Sequence, residues 1–373
     1  MTYSAKACSA KAWRLKRAGL GRWGGIRLVA WDGNAGGRVG DATLKYGEQP
    51  GLRFACVLDG NGGCRDMTWP DIEAWKPADG VLWVHLERDH PDAQAWLRAR
   101  SSIDRFAVEA LLAEETRPRV EDYDGDGVLA ILRGVNRAAP SEMLDLVPIH
   151  LWVDNQRVIT LRDKDHYLMA LRDIREALAK GKGPARGGAL FARITEKLVK
   201  NLEPVIEELE ESADALDESL LQKPTHECRM KLSELRRQSI NLRRYLAPQR
   251  EALFRIQEED AAWLHKRDKI RLREVTDKLL RHLENLDSIR DRATILHEDL
   301  AAQTAEEHAK ASNRLTLVAA LLLPPGLVAG LLGANVGGIP GNGDNPWAFA
   351  VVVVLVLAVF PLEIWVLKKL KWF

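Results

Sequence analysis

A chain of 373 residues that is 46% hydrophobic and 29% charged is too long and too polar to be only a membrane hairpin, so it must hold a soluble domain with its own core. With 54 Lys and Arg against 53 Asp and Glu the formal net charge is +1, and no basic patch is interleaved with aromatic residues, which argues against nucleic acid as a partner. Four cysteines (Cys8, Cys56, Cys64 and Cys228) are too few and too scattered for a disulfide framework and form no CxxC; they fit a reducing cytosol as packed or surface thiols. Cys56 and Cys64 flank a hairpin and could approach each other.

Residues 1–53 carry several Lys and Arg, no acid before Asp32 and much Gly and Ala. That composition mimics a transit peptide and lacks the apolar run of a secretory signal; a disordered extension or a start codon placed upstream is expected. From Phe54 the pattern becomes regular. The spacing predicts strands at 54–58 and 80–86, the second an apolar run buried on both faces, with a glycine-rich turn at 59–63. Helices are expected at 91–100 and 103–115, then strands at 119–123, 128–135, 146–153 and 157–161 joined by hairpin turns. A helix at 165–179 precedes a linker at 181–188. Residues 54–190 therefore read as an α+β cytoplasmic domain with a largely antiparallel sheet. Within it, 122–127 places acids and a glycine as a calcium loop does, but Arg133 stands where the bidentate Glu belongs, so a hairpin turn is expected instead.

Residues 191–314 read as a stalk of long helices. Leu198, Leu202, Val205, Leu209, Ser212, Leu216 and Leu220 form a seam on an acidic helix; Leu232, Leu235, Ser239, Leu242 and Leu246 form one on a basic helix at 226–245. The two should pair antiparallel. Their charges either neutralise each other on a solvated surface or, on the acidic helix, concentrate divalent cations near a pore entrance. A third seam runs through Val275, Leu279, His282, Leu286, Ile289, Ala293, Leu296 and Leu300. No Pro or Gly interrupts the chain from about Arg267 to Pro324, which gives a helix on the order of 100 Å long. Such a helix is stable only when bundled, which implies self-assembly.

Residues 315–373 read as a transmembrane hairpin with spans at about 315–334 and 347–367, each long enough to cross most or all of a hydrocarbon core of about 30 Å. Lys310 and Arg314 precede the first span and Lys368, Lys369 and Lys371 follow the second, so both termini should be cytoplasmic, with Asp344 in the external loop attracting cations. Ser312, Thr316, Ala319, Leu323, Gly326 and Gly330 give the first span a face of small or hydroxyl-bearing residues, with Leu323 a candidate constriction. This face either packs against another helix or lines a conduit. Pro324 and Pro325 free backbone carbonyls that a pore can use. At its outer end Gly333, Ala334 and Asn335 offer backbone carbonyls and a neutral amide, groups suited to a symmetric ring that selects a still-hydrated cation.

Gly333 Ala334 Asn335 followed by Val336 Gly337 Gly338 Ile339 Pro340 Gly341, the two terminal spans, and the ending Lys368 Lys369 Leu370 Lys371 Trp372 Phe373 resemble the CorA-type metal ion transporters, in particular the zinc transporter branch called ZntB. The resemblance takes in Thr116 to Glu121, Arg236 to Gln238 and Leu242 to Arg250, and covers about 54–373. It implies a homopentamer in the inner membrane, contacting lipid, whose first span lines the pore beneath a cytoplasmic funnel, with zinc as the transported ion and no cofactor. Gly333 and Asn335 would hold the filter positions. Ala334 stands where the magnesium branch has Met, and Leu332 where an aromatic residue is common, departures that bear on the tightness of the filter.

Two further features invite chemistry. His282, His297 and His308 are spaced to share one face of the long helix and are candidate zinc ligands, against a reading as packing or surface residues. Glu363 is the lone acid of the second span and a candidate for proton coupling, against a carboxylate snorkelling towards Lys310, Arg314 or Lys368. No Walker loop, nucleophile elbow or HExxH supports an enzyme. Zinc transport is the first reading, a magnesium or cobalt channel of the same architecture the second, and a membrane-anchored pentameric scaffold or sensor the third.

Overall fold

A computed structural model describes residues 49–114, 117–123, 127–136, 146–222, 226–259, 261–333 and 347–369. All of them lie in one compact unit, Glu48–Phe373. The expected extension therefore falls almost wholly outside the described residues.

Among the described residues seven strands form one mixed sheet: β1 (Leu52–Leu58), β2 (Cys64–Met67), β3 (Leu82–Glu87), β4 (Arg119–Tyr123), β5 (Gly127–Val135), β6 (Leu146–Val153) and β7 (Arg157–Arg162). Their order is β2-β1-β3-β7-β6-β5-β4. Every pairing is antiparallel except β3 with β7, as the largely antiparallel expectation requires. Tyr123 pairs with Gly127, so β4 and β5 are antiparallel neighbours on either side of the calcium-loop mimic, of which 124–126 lie outside the described residues. Pro148 is tolerated in β6 because β7 pairs only from His150 onward, leaving no partner to want the missing N–H.

Period-two alternation splits the strands between two cores. Ala55, Val57, Leu82, Val84 and Leu86 face α2 (Pro91–Arg100) and α3 (Arg105–Leu112), which follow the single-turn α1 (Trp69–Ala74). Cys56, Leu58 and Trp83 face α4 (Met169–Ala179) and α5 (Gly187–Lys200). This second core does not stop at the sheet. It runs on through α6 (Glu203–Gln222), α7 (His226–Glu258) and α8 (Lys266–Leu332) as far as Leu300. Sheet and stalk thus share one continuous apolar interior.

That continuity corrects the linker expected at 181–188, since α5 begins inside it. Gly187 and Gly188 are both buried, and a Cβ on Gly188 would overlap the Trp263 carbonyl oxygen and crowd the buried Asp268 carboxylate. Backbone cannot yield as a side-chain tip does. Gly188→Ala is therefore expected to destabilise the protein by about 1–3 kcal/mol, read as a lowered Tm; an unchanged Tm would show that α5 can shift freely against the loop ahead of α8.

In the stalk, Glu203 meets Lys278 at 3.3 Å and Asp214 meets Arg292 at 2.7 Å, so α6 and α8 run parallel. Arg243 pairs with Asp287 at 2.7 Å and Gln257 reaches Thr276 at 2.5 Å, so α7 runs antiparallel to α8 and hence to α6. Three details differ from expectation. The basic helix continues to Glu258 through Pro248, because Leu246, Gln249, Ala252, Leu253 and Ile256 are buried around the proline; that packing outweighs a proline cost of about 3 kcal/mol. Ala213, not the exposed Ser212, fills the α6 seam. In α8, Leu283 is buried where His282 was expected, and His282 is half-buried beside it.

Candidate ion pathway

At 67 residues α8 is about 100 Å long and continues without a break from stalk into apolar sequence. α9 (Ala348–Lys369) follows. Both are long and apolar enough to cross a membrane, and only 6% and 0% of their apolar windows is buried within the chain. A core helix of a soluble protein would be mostly buried, so these surfaces need another apolar medium.

The end of α8 has two distinct faces. Leu317, Ala320, Leu321 and Val328 are half-buried and Pro325 is buried, forming the side towards α9, with which α8 is in contact. Ser312, Thr316, Ala319, Leu323, Gly326, Gly330 and Gly333 are all exposed. A Cβ built on Gly326 or Gly330 meets no atom within 4 Å. These glycines therefore do not serve packing inside the chain. The Thr316 hydroxyl donates to the Ser312 carbonyl at 3.0 Å, turning its oxygen lone pairs outward. Pro324 and Pro325 sit inside the helix and leave the carbonyls one turn earlier without their usual donors.

Gly333 closes the helix in right-handed geometry, φ −87° and ψ −3°, its N–H still bonded to Ala329 O at 2.9 Å. The chain leaves the helix only beyond it. Ala334, Asn335 and Asp344 lie outside the described residues.

On α9 the less exposed positions are Val352, Val356, Val359, Phe360, Glu363 and Leu367, a stripe at helical spacing that puts Glu363 on the packed face. Both carboxylate oxygens of Glu363 are buried without a hydrogen-bond partner among the described residues. Of the bases near the two spans, Lys310 is engaged by Glu306 at 2.7 Å and Lys369 lies over the Trp365 ring at 5.1 Å. The apolar spacing of four and three around Glu363 was the signal that places it there.

The three histidines separate. His282 faces α6, where Glu203 and Glu207 act on it; burial holds its pKa below the ordinary imidazole value, and its Nε2 is buried without a partner. His297 and His308 are exposed. Among the described residues no group of three or more His, Cys, Asp or Glu converges within one chain. On the acidic helix, Arg292 bridges Asp214 and Asp217 and Lys278 holds Glu203, so neutralisation accounts for those carboxylates.

A family model described as CorA-like Mg2+ transporter protein matches residues 78–369. The chain belongs to the CorA family. It is 34% identical over 333 residues, 88% of this chain and 99% of the relative, to the divalent cation transporter CmaX of Pseudomonas aeruginosa. It is 33% identical over 339 residues, 90% of this chain and 97% of the relative, to the zinc transport protein ZntB of Yersinia enterocolitica. Among solved structures, full-length CmaX superposes with a TM-score of 0.76 over 88% of this chain and all of CmaX, at 34% identity. The complete CorA magnesium transporter of Methanocaldococcus jannaschii gives 0.69 over 86% of this chain and 98% of the other at 18% identity, a likeness of fold. The CorA-type architecture of mixed sheet, long helices and two C-terminal apolar helices is common to these structures and this chain.

Proposed function

We propose that this CorA-family chain carries divalent cations across the inner membrane, with zinc preferred, through a homopentameric pore lined by the small face of α8. The observation that carries the reading is the exposure of Thr316, Ala319, Gly326 and Gly330 on the side away from α9. A ring of such faces leaves a conduit wide enough for a hydrated ion, with Leu323 as its narrowest apolar point. Gly333, Ala334 and Asn335 form the outer filter, both termini are cytoplasmic, and Asp344 draws cations from outside. Glu363, its carboxylate oxygens buried without a partner among the described residues on the packed face of α9 and so behind the pore-lining helix, takes and returns a proton as the cation passes, coupled to the pathway through α8.

Flux in proteoliposomes loaded with a metal-sensitive dye tests this. Zinc entry is expected to fall at least tenfold in Asn335→Ala, in order-of-magnitude terms, because the ring loses its amide oxygens. An imposed pH gradient should alter zinc flux in the unsubstituted protein and leave Glu363→Gln unresponsive. Magnesium flux without zinc flux would favour the magnesium channel, the reading that the family description supports. No flux of any metal would leave a scaffold.

The exposed His297 and His308 are positioned to repeat five times around such a funnel, and His282 joins them only if α6 yields. Imidazole suits zinc and not magnesium. Replacing all three by Gln should lower zinc binding in calorimetry without altering oligomer mass, and unaltered zinc binding would remove them from the pathway.

A further inference from the structure

At the opposite end of the molecule from the spans, the sheet edge holds two cysteines that transport does not use. Cys56 on β1 pairs with Asp66, and Cys64 on β2 pairs with Leu58, so both thiols stand on one face, two residues apart on the diagonal. The two thiols are electrostatically linked, each shifting the other's titration in the opposite direction: Cys56 upward and Cys64 downward. From α4, Arg175 reaches over the pair: its Nη1 donates to Cys64 Sγ at 3.1 Å and its Nη2 to Asp66 Oδ1 at 2.5 Å. Its guanidinium also covers the Phe54 ring at 4.9 Å. Cys56 is fully buried, whereas Cys64 is half-buried on a strand whose only sheet neighbour among the described residues is β1.

We propose that Cys56 and Cys64 form a peroxide-reactive dithiol, with Cys64 the attacking sulfur, Cys56 the resolving one and Arg175 the positioning cation. The Cys64 thiolate attacks a hydroperoxide oxygen; the S–O bond forms, the O–O bond breaks, and hydroxide leaves to be protonated to water. Cys56 sulfur then displaces hydroxide from the sulfenic acid; the S–S bond forms, the S–O bond breaks, and the Cys56 proton leaves with the hydroxide as a second water. Two thiols lose two electrons and the peroxide gains them. Diagonal partners are roughly 7–8 Å apart at Cα, slightly beyond the usual span of a disulfide, so the short edge strand must close a little. Its four residues and single neighbour permit that. Closure would be felt in the stalk, because Gly62 of the same loop accepts from the Gly183 N–H at 2.7 Å, just ahead of α5.

The Cys56 thiol and the charge of Arg175 outweigh burial and the repulsion of Asp66, and hold the Cys64 thiol down at about 7. At neutral pH about half of it is then thiolate against a few per cent for an ordinary thiol, and the lower intrinsic nucleophilicity leaves a rate advantage of roughly threefold. Full-length protein in detergent should be treated with hydrogen peroxide, then denatured, alkylated with iodoacetamide and mapped by mass spectrometry without reduction, with the labelling rate of Cys64 read separately on the folded, untreated protein. A Cys56–Cys64 cross-linked peptide is expected, with Cys64 labelling faster than glutathione at pH 7 and a pH midpoint near neutrality. Arg175→Gln should move that midpoint upward, and Cys56→Ser should leave a sulfenic acid on Cys64 that dimedone captures. The proposal is overturned if both cysteines remain fully alkylated after peroxide, if Cys64 labels no faster than glutathione, or if the Arg175→Gln profile overlays that of the unsubstituted protein.

Discussion

Replacing Gly326 and Gly330 together by leucine is expected to reduce cation flux by roughly tenfold or more while leaving the chain as stable as before. The reasoning starts from space. A Cβ at either position meets nothing within 4 Å, so both positions open onto space in the folded chain. Each change also removes a glycine from a helix interior, which favours the helix by about 0.8–1 kcal/mol. A Tm equal to that of the unsubstituted protein would then separate a loss of transport from unfolding of the subunit. Two causes remain, and they have different signatures. If the face lines a conduit, leucine fills it and the oligomer survives. If the glycines let helices of different subunits approach closely, leucine forces them apart and the oligomer dissociates. Native mass spectrometry beside the flux assay decides: an intact assembly with blocked flux supports the conduit, and dissociation assigns the face to packing. As a contrast, Val328→Trp on the side towards α9 should perturb the hairpin itself, lowering Tm along with flux.

Much of this architecture was legible because its signals are long. The seams of α7 and α8 repeat over many turns, so Leu232, Leu235, Ser239, Leu242 and Leu246 were all placed correctly on a buried face. The apolar spans and the alternating strands were equally plain. What escaped depends on tertiary packing. Pro248 reads as a helix end, and only the burial of Leu253 and Ile256 beyond it carries α7 onward. The stretch with Gly187 and Gly188 reads as a linker, yet those glycines are where α5 presses against the Trp263 carbonyl. The shift of Ala213 for Ser212 follows from the break between α5 and α6 near Leu202, which a single straight-helix projection spans without seeing; Leu283 for His282 is a one-residue change within unbroken α8. In the candidate site, sequence spacing identified the small face but not its direction, because periodicity says which residues share a side and not what that side meets. The position of α9 supplied that. The same holds for Glu363, whose apolar neighbours mark a stripe but whose unpaired oxygens emerge only once α8 is packed against it.

Acid should destabilise the protein between pH 6.5 and 5, well above the range where its surface carboxylates titrate. His85 in β3 and His150 in β6 are both buried. The Nδ1 of His85 lies 2.9 Å from Thr160 Oγ1, and its Nε2 accepts from the Arg162 Nε at 3.2 Å, which requires that nitrogen to be unprotonated. His150 donates from Nδ1 to Leu111 O at 2.7 Å, and its Nε2 is buried with no partner among the described residues. Burial, with nearby arginines adding, pushes His85 down to about 3 and His150 down to about 4. In the unfolded chain both return to about 6.5. As the pH falls through that value the unfolded state takes up two protons that the folded state refuses, so folding loses free energy until the folded-state values are reached. By pH 5 the loss is about 4 kcal/mol for the two together, a large share of a typical stability of about 5–15 kcal/mol. Half-buried His282 shifts in the same direction and adds to it. Thermal unfolding followed by tryptophan fluorescence reports on the region directly, because Trp83 and Trp152 are buried in the same sheet. Tm is expected to drop steeply from pH 6.5 to 5. His150→Asn keeps a donor for Leu111 O and removes one titrating group, so its pH profile should be shallower by roughly half of the two-histidine effect. A flat profile for the unsubstituted protein, or a His150→Asn profile parallel to it, would show that these imidazoles gain protons without leaving the fold.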